Sequence, residues 1–218
     1  QEDFLRITSY HSCKKHYFVG CPFIEEVDKI LMETHEDKTF TKQNWEDLSI
    51  AEQKFTDCTF VNCNLSKTTF ISSEFNGCTF HNCDMSLMVL RKCSAKKIKL
   101  TSSKAIGINW SDTEGTFSIE AIDSNVSYSS FAGKPIRKAV FKGCKAHEVD
   151  FTQCNLTEAD FSNADLHDTR FVNSDLTKAD FSNATNYRID PKINKVKGAT
   201  FTMPDAMSLL DSFGIVVK

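Results

Sequence analysis

Turn-forming residues that break helices and strands are scarce here, with 4 prolines and 8 glycines in 218 residues. That leaves little material for proline-rich spacers or glycine-rich linkers. Charge of one sign is lacking too: the net charge is -3, which argues against the broad basic surface that nucleic-acid binding needs. No apolar run is long enough for a membrane-spanning helix, and no membrane partner is expected. No signal-peptide pattern stands at the start. A first residue Gln1 rather than Met leads us to expect a short leader ahead of it. The chain also lacks a phosphate-binding glycine loop, a nucleophile elbow and an HExxH motif. Neither enzyme activity nor a cofactor is expected.

What is present is phenylalanine, 18 in all, and a beat. In Ala159-Asp160-Phe161-Ser162-Asn163-Ala164-Asp165-Leu166 a small residue, an Asp, a large apolar residue and two polar residues recur every five positions. Five is neither the 3.6 period of a helix nor the 2.0 of a half-buried strand, so the pattern is a repeat. Taking the large residue as the centre, Phe131, Phe141, Phe151, Phe161, Phe171 and Phe181 alternate with Ile136, Ala146, Leu156, Leu166 and Leu176. An earlier tract runs Phe40, Trp45, Ile50, Phe55, Phe60, Leu65, Phe70, Phe75, Phe80, Met85, Leu90, Ala95 and Leu100, shifted by one.

These residues resemble the A-(D/N)-(L/F)-x-x pattern of the pentapeptide-repeat proteins over roughly residues 38–201. The resemblance implies an all-β fold, a right-handed quadrilateral parallel β-helix with four pentapeptides to a coil. Each centre and the small residue two before it would fill the column, and stacked coils would bury one another's apolar residues. Phe141, Phe161 and Phe181 would then stack as one ladder, and Phe131, Phe151 and Phe171 as another.

The nine cysteines look at first like a disulfide or metal framework. Eight of them, Cys21, Cys58, Cys63, Cys78, Cys83, Cys93, Cys144 and Cys154, instead occupy the small slot, and no CxxC pair is present. Buried free thiols and a reducing cytoplasm are the expectation. Of six histidines, His147 and His167 lie twenty apart and should be exposed neighbours on adjacent coils; no metal site is expected there.

The organisation expected is an irregular cap over 1–37, repeats over 38–201 with a register break within 103–125, and a capping or dimerisation tail over 202–218. The extra residue that shifts the register is expected in the turn-rich Ser111-Asp112-Thr113-Glu114-Gly115. Bases at Arg91, Lys92, Lys96, Lys97, Lys99 and Lys104 read as a solvated face. In the second tract the residue before the centre is repeatedly acidic, and Asp150, Asp160, Asp165, Asp175 and Asp180 suggest a row of carboxylates whose field is like that of a DNA backbone. The tail reads as a helix opened by Pro204, with an apolar stripe Met207, Leu210 and Phe213, stopped by Gly214 and followed by a short strand Ile215-Val216-Val217.

That ending is similar to those of the Qnr quinolone-resistance proteins and the microcin-immunity protein McbG. The resemblance implies a homodimer joined through Met207, Leu210, Phe213, Ile215 and Val217. It implies a DNA mimic that binds DNA gyrase or topoisomerase IV and protects it from a quinolone or a peptide toxin; the residues expected to make that contact are the carboxylates Asp150, Asp160, Asp165, Asp175 and Asp180 and the loop pair Asp112 and Glu114. The alternative is an interaction scaffold with no topoisomerase role.

Overall fold

A computed structural model describes residues 33–215. The chain forms a parallel β-solenoid of about 8 turns. Its strands are two to four residues long, because each side of a coil is one pentapeptide wide. The beat is realised as four ladders, one per side. The first stacks His35, Phe55, Phe75 and Ala95. The second stacks Phe40, Phe60, Phe80, Leu100, Ala121 and Phe141, and continues through Asp160 and Asp180 to Thr200–Phe201. The third is the bridge series Asn44, Asn64, Asp84, Lys104, Asn125, Lys145, Asp165 and Thr185. The fourth stacks Ile50, Phe70 and Leu90, then Asn109, Ser130, Asp150 and Arg170.

Inside, the aromatic centres form the expected stacks. Phe161 lies 5.3 Å from Phe141 and 5.0 Å from Phe181, with nearly parallel rings. The slot two before the centre does more than fit a small side chain. Cys58 Sγ donates to the carbonyl of His35 at 3.4 Å, Thr68 Oγ1 to Trp45 at 2.7 Å, Ser103 Oγ to Phe80 at 3.2 Å and Cys154 Sγ to Phe131 at 3.0 Å. In each case the acceptor is the centre 23 residues earlier. The slot thus pairs a buried carbonyl that would otherwise be costly to desolvate, which accounts for Cys, Ser and Thr there. All seven described cysteines are free and buried. Burial pushes the thiols of Cys78, Cys144 and Cys154 up to about 12.

The backbone turns each corner through a residue in the left-handed region, two after the centre: Asn62 at φ 54, Asn163 at φ 59 and Gly77 at φ 71 are examples. Only glycine takes this conformation without steric cost, and Asn and Asp tolerate it best among the rest.

Several expectations are corrected. Glu33–Glu36, placed within the irregular cap, is a strand paired with Gln53–Thr56. Its His35 is a buried centre stacked 4.9 Å from Phe55. The rest of the expected cap, residues 1–32, lies outside the described residues. The register break lies at or beyond Gly115, the last residue of the expected Ser111–Gly115. Ser94 still pairs with Glu114, twenty residues on, whereas Ile98 pairs with Ile119, twenty-one on. The turn Trp110–Asp112 is a 3₁₀ turn within the first register, and the extra residue enters over 115–118. Phe117, off the beat, folds into the column 5.4 Å from Trp110 and 6.0 Å from Phe131.

Lys134 supports that break. It occupies a small slot, is buried, donates from Nζ to Thr113 O at 2.5 Å and lies 5.9 Å from the centre of the Phe117 ring. Burial lowers its pKa below 10.5, with Asp112 opposing. Near the end, Tyr187 rather than Asn186 enters the column, packing against Phe181 and Phe201. Burial, reinforced by Asp205, raises its hydroxyl to about 12.

The tail helix, Asp205–Phe213, is 3₁₀ and ends at Gly214, φ 68. Three residues per turn place Met207, Leu210 and Phe213 in one row, as the stripe expects. Leu209 packs against the core. The expected strand Ile215–Val217 is not formed at Ile215, and Val217 lies outside the described residues.

Candidate interaction surfaces

The solenoid assigns each predicted carboxylate to a face, and the faces differ. Residues five apart sit on successive sides; only residues about twenty apart stack. Asp150 belongs to the fourth side, Asp160 and Asp180 to the second, Asp165 to the third and Asp175 to the first, where Asn155 and Lys195 flank it. The five do not form one row. The stacked pair Asp160 and Asp180 is the part of the expected row that exists, about 4.8 Å apart as parallel strands dictate.

Every one of these positions also serves the backbone or a neighbouring side chain. The Oδ1 of Asp150 accepts from Thr152 N at 2.9 Å, that of Asp160 from Ser162 N at 2.8 Å, that of Asp175 from Thr177 N at 3.1 Å and that of Asp180 from Ser182 N at 2.8 Å. These are Asx turns, and Asn64, Asn125 and Asn155 make the same contact. One oxygen is thus spoken for by the corner, and the second remains to face outward.

Asp165 and Asp175 have partners for that second oxygen. Asp165 Oδ2 lies 2.5 Å from His147 Nε2, and its Oδ1 accepts from Asn186 Nδ2 at 2.8 Å. Partial burial works against the charged form of Asp165, but the bonds from Asn186 and His147 outweigh it and hold the carboxyl below its ordinary value. Hydrogen bonding from Thr177, assisted by Lys195 at 3.4 Å, lowers Asp175 against a smaller burial penalty. His147 and His167 are neighbours, 5.4 Å apart edge to face. His167 is exposed as expected, whereas His147 is half-buried. Among the described residues, Asp150, Asp160 and Asp180 make no ion pair.

Asp112 and Glu114 lie at the register break, on the fourth and first sides, away from the Asp160 and Asp180 pair. The bases of 91–104, adjacent in sequence, are spread around one coil as a collar. Two are neutralised: Lys99 pairs with Glu120 at 3.3 Å and Lys104 with Asp84 at 3.6 Å. Of the expected dimer seam, Phe213 and Ile215 are about half exposed, and Met207 and Leu210 are partly buried. A cleft of about 550 Å³ separates this helix from the last coils, lined by His167, Arg188, Asp205 and Asp211 among others. Among the described residues no cluster of three or more His, Cys, Asp or Glu could hold a metal ion, and no helix is long and apolar enough to cross a membrane.

Leu87 and Tyr128 escaped the sequence reading. Both stand at corners and are exposed. Their signal was an apolar residue two after a centre, where the repeat otherwise carries polar residues or glycine.

Comparison with known proteins agrees with this architecture. The family model "Pentapeptide repeat region" matches residues 53–117, and "Pentapeptide repeats (8 copies)" matches 136–171 and 154–185. No match is found among curated protein sequences. Among solved structures, two trypsin-treated forms of QnrB1, a plasmid-mediated fluoroquinolone resistance protein, superpose with TM-scores of 0.63 and 0.64 at 16% and 17% identity. They cover 86% and 85% of this chain and 100% and 99% of theirs. HetL, a pentapeptide repeat protein involved in heterocyst differentiation regulation from the cyanobacterium Nostoc sp. Strain PCC 7120, superposes with a TM-score of 0.62 at 14% identity, covering 78% of this chain and 85% of its own. At such identities the likeness concerns the fold alone. The matched repeats and the four stacked ladders place this chain in the pentapeptide-repeat family.

Proposed function

We propose that this protein is a non-enzymatic binding protein that occupies the DNA site of DNA gyrase or topoisomerase IV and protects the enzyme from a quinolone or a peptide toxin. The observation that carries this reading is the stacked pair Asp160 and Asp180, whose corner turns fix one oxygen of each and which make no ion pair among the described residues. Carboxylates held in place without a local counter-charge offer a basic partner a preorganised field, as phosphates do. The exposed Phe213 and Ile215 at the end of the rod fit a homodimer built through the tail.

One observation favours a scaffold with no topoisomerase role. The Asx turns account for Asp at these positions without any partner. Replacing both residues by Asn separates the two readings, because Asn keeps the turn acceptor and removes the charge. In a gyrase supercoiling titration with and without a quinolone, the parent should rescue the poisoned enzyme and D160N/D180N should not. Rescue by both would remove charge mimicry at this pair. Absence of gyrase binding at about micromolar concentration, a free energy of roughly 8 kcal/mol, would remove the topoisomerase reading altogether.

A further inference from the structure

The corners of this rod favour Gly, Asn or Asp, or a flexible polar chain that can swing into solvent. Of the described non-glycine residues with positive φ, only Leu87 at φ 59 and Tyr128 at φ 62 carry large apolar side chains. Bulky apolar residues are uncommon in this conformation, and held there they point to a role outside folding. Neither belongs to the column: Leu87 is 53% exposed and Tyr128 60%.

They share one vertical edge, where the third side meets the fourth. The edge reads Lys67, Leu87, Gly107, Tyr128 and Glu148 from coil to coil, as their backbone bonds show: Lys67 N to Ser86 O, Leu87 N to Ile106 O, Gly107 N to Ser127 O and Tyr128 N to His147 O. Leu87 and Tyr128 are therefore two coil spacings, about 10 Å, apart. Between them Gly107, φ 69, leaves a gap into which Leu87 leans, so that a Cβ at 107 would stand 2.8 Å from Leu87 Cδ2. Val89, 40% exposed, and the half-buried Ile106 flank the gap. The edge is an apolar notch with a glycine floor.

Its rim is basic. Val89–Arg91 is one strand with its two ends facing out, which sets Arg91 beside Val89; Lys92 follows at the next corner. Arg91 and Lys92 make no ion pair among the described residues. Lys67 stands above Leu87, engaged only loosely with Glu46 at 4.0 Å. Lys104 lies beside Ile106 but is matched by Asp84, and Glu148 closes the lower end. An apolar centre within a charged rim is the anatomy of a protein-binding patch. Single-stranded nucleic acid uses aromatic stacking platforms, and three of the four apolar residues here are aliphatic.

We infer that the Leu87–Gly107–Tyr128 edge docks an acidic protein segment that inserts a large apolar side chain above Gly107 and sets carboxylates against Arg91 and Lys92. The sign is opposite to that of the Asp160 and Asp180 pair, and the inference stands independently of the topoisomerase reading.

The test is selection of a phage-displayed library of random peptides, about twelve residues long, on the full chain, with counter-selection on L87N/Y128N. Asn suits the left-handed corner better than either native residue, so this variant should melt no lower than the parent. Enriched peptides should be acidic and carry a Leu, Phe or Trp anchor. As labelled peptides they should bind the parent in the micromolar range and lose about tenfold or more on L87N/Y128N and on R91E/K92E. Peptides without acids or anchors, equal affinity for parent and L87N/Y128N, or no enrichment would overturn the inference. So would a labelled single-stranded oligonucleotide whose binding is lost in Tyr128→Asn and kept in Leu87→Asn. A parent dimer that becomes monomeric in L87N/Y128N would reassign the edge to self-association and overturn it equally.

Discussion

Phe161→Ala tests whether the column, rather than the corners, holds the rod together. The ring is fully buried. It is stacked between Phe141 and Phe181 and touched edgewise by Phe151 at 5.5 Å and Phe171 at 5.7 Å. Its backbone is pinned as well: Phe161 N donates to Asp180 O at 2.7 Å, and Phe161 O accepts from Ala164 N at 3.1 Å. The coils above and below cannot move in to fill the void, because the ladder spacing is set by hydrogen bonds. The loss should therefore fall in the upper part of the range for such truncations, about 4–5 kcal/mol. Phe201→Ala is the internal control: that ring is only partly buried, with one stacked neighbour, Phe181 at 5.1 Å, and one tilted neighbour, Tyr187 at 5.6 Å, so a smaller loss of about 2 kcal/mol is expected. Urea unfolding followed by circular dichroism gives both values. For a chain of this length the difference should appear as a melting temperature lower by roughly 4–12 °C in Phe161→Ala than in Phe201→Ala. Trp45 and Trp110 lie in earlier coils, so their fluorescence also reports whether the rod unfolds as one unit. Equal losses in the two variants, within about 1 kcal/mol, would refute the argument from enclosure.

Gly77→Ala should cost at least the ~1–2 kcal/mol of placing a Cβ in the left-handed region, and more because that Cβ would stand 1.9 Å from Asp57 Oδ1. Adding Asp57→Ala should recover the contact and leave the conformational part, as a double-mutant cycle by urea unfolding will show. The Asp165 carboxyl, held below its ordinary 3.8 in the fold, contributes stability that is present above 3.8 and lost as pH falls through its lower folded value. Asp165→Asn should therefore show a shallower loss of stability across that interval, measured as melting temperature against pH. With Cys13 and Cys21 changed to Ser, a thiol-reactive dye should find no reactive cysteine in the folded protein and seven after denaturation, because the rest are buried; burial raises the thiols of Cys78, Cys144 and Cys154 and shields Cys63, which its hydrogen bond with Cys83 lowers to about 7. Lys134→Met should abolish the gain in stability that the parent shows as pH rises from the depressed folded pKa towards 10.5, read from the difference between the two pH profiles.

The fold was legible because a five-residue beat with buried centres is a strong and local signal, and the centres from Phe40 to Phe181 were read directly from it. What escaped were residues off the beat. Phe117 and Tyr187 enter the column at positions the period does not mark: Phe117 because a coil with an extra residue must still fill its interior, and Tyr187 in a coil that keeps its twenty residues, where the centre position itself holds the polar Asn186. Ser111–Gly115 looked like the place of the break because its residues favour turns, yet a 3₁₀ turn satisfies them without changing register. Lys134, a lysine in a slot that elsewhere in the second tract holds Ala, Cys, Ser, Thr or Val, is the sequence signal nearest to the break. The row of carboxylates failed for a reason already in the sequence: a period of five sends neighbours to different sides, and twenty is the interval that stacks them.

Function in such a rod is best sought where the fold's own demands stop. At the position before the centre the fold tolerates Lys104, Lys145 and Arg170; where a side-chain acceptor closes the turn, Asp and Asn serve equally, as Asn155 and Asp175 do in adjacent coils. The charge of Asp160 and Asp180 therefore exceeds what folding requires, while their shape does not. At the corner the fold asks for a residue that tolerates positive φ, and Leu87 and Tyr128 meet it poorly; there the side chain itself is the excess. Asn is the replacement that isolates the excess in both places. It retains the turn acceptor at Asp160 and Asp180, and it relaxes the corner at Leu87 and Tyr128. Binding lost in either Asn variant, with thermal stability equal to or above that of the parent, can then be assigned to the removed charge or apolar group rather than to a damaged coil.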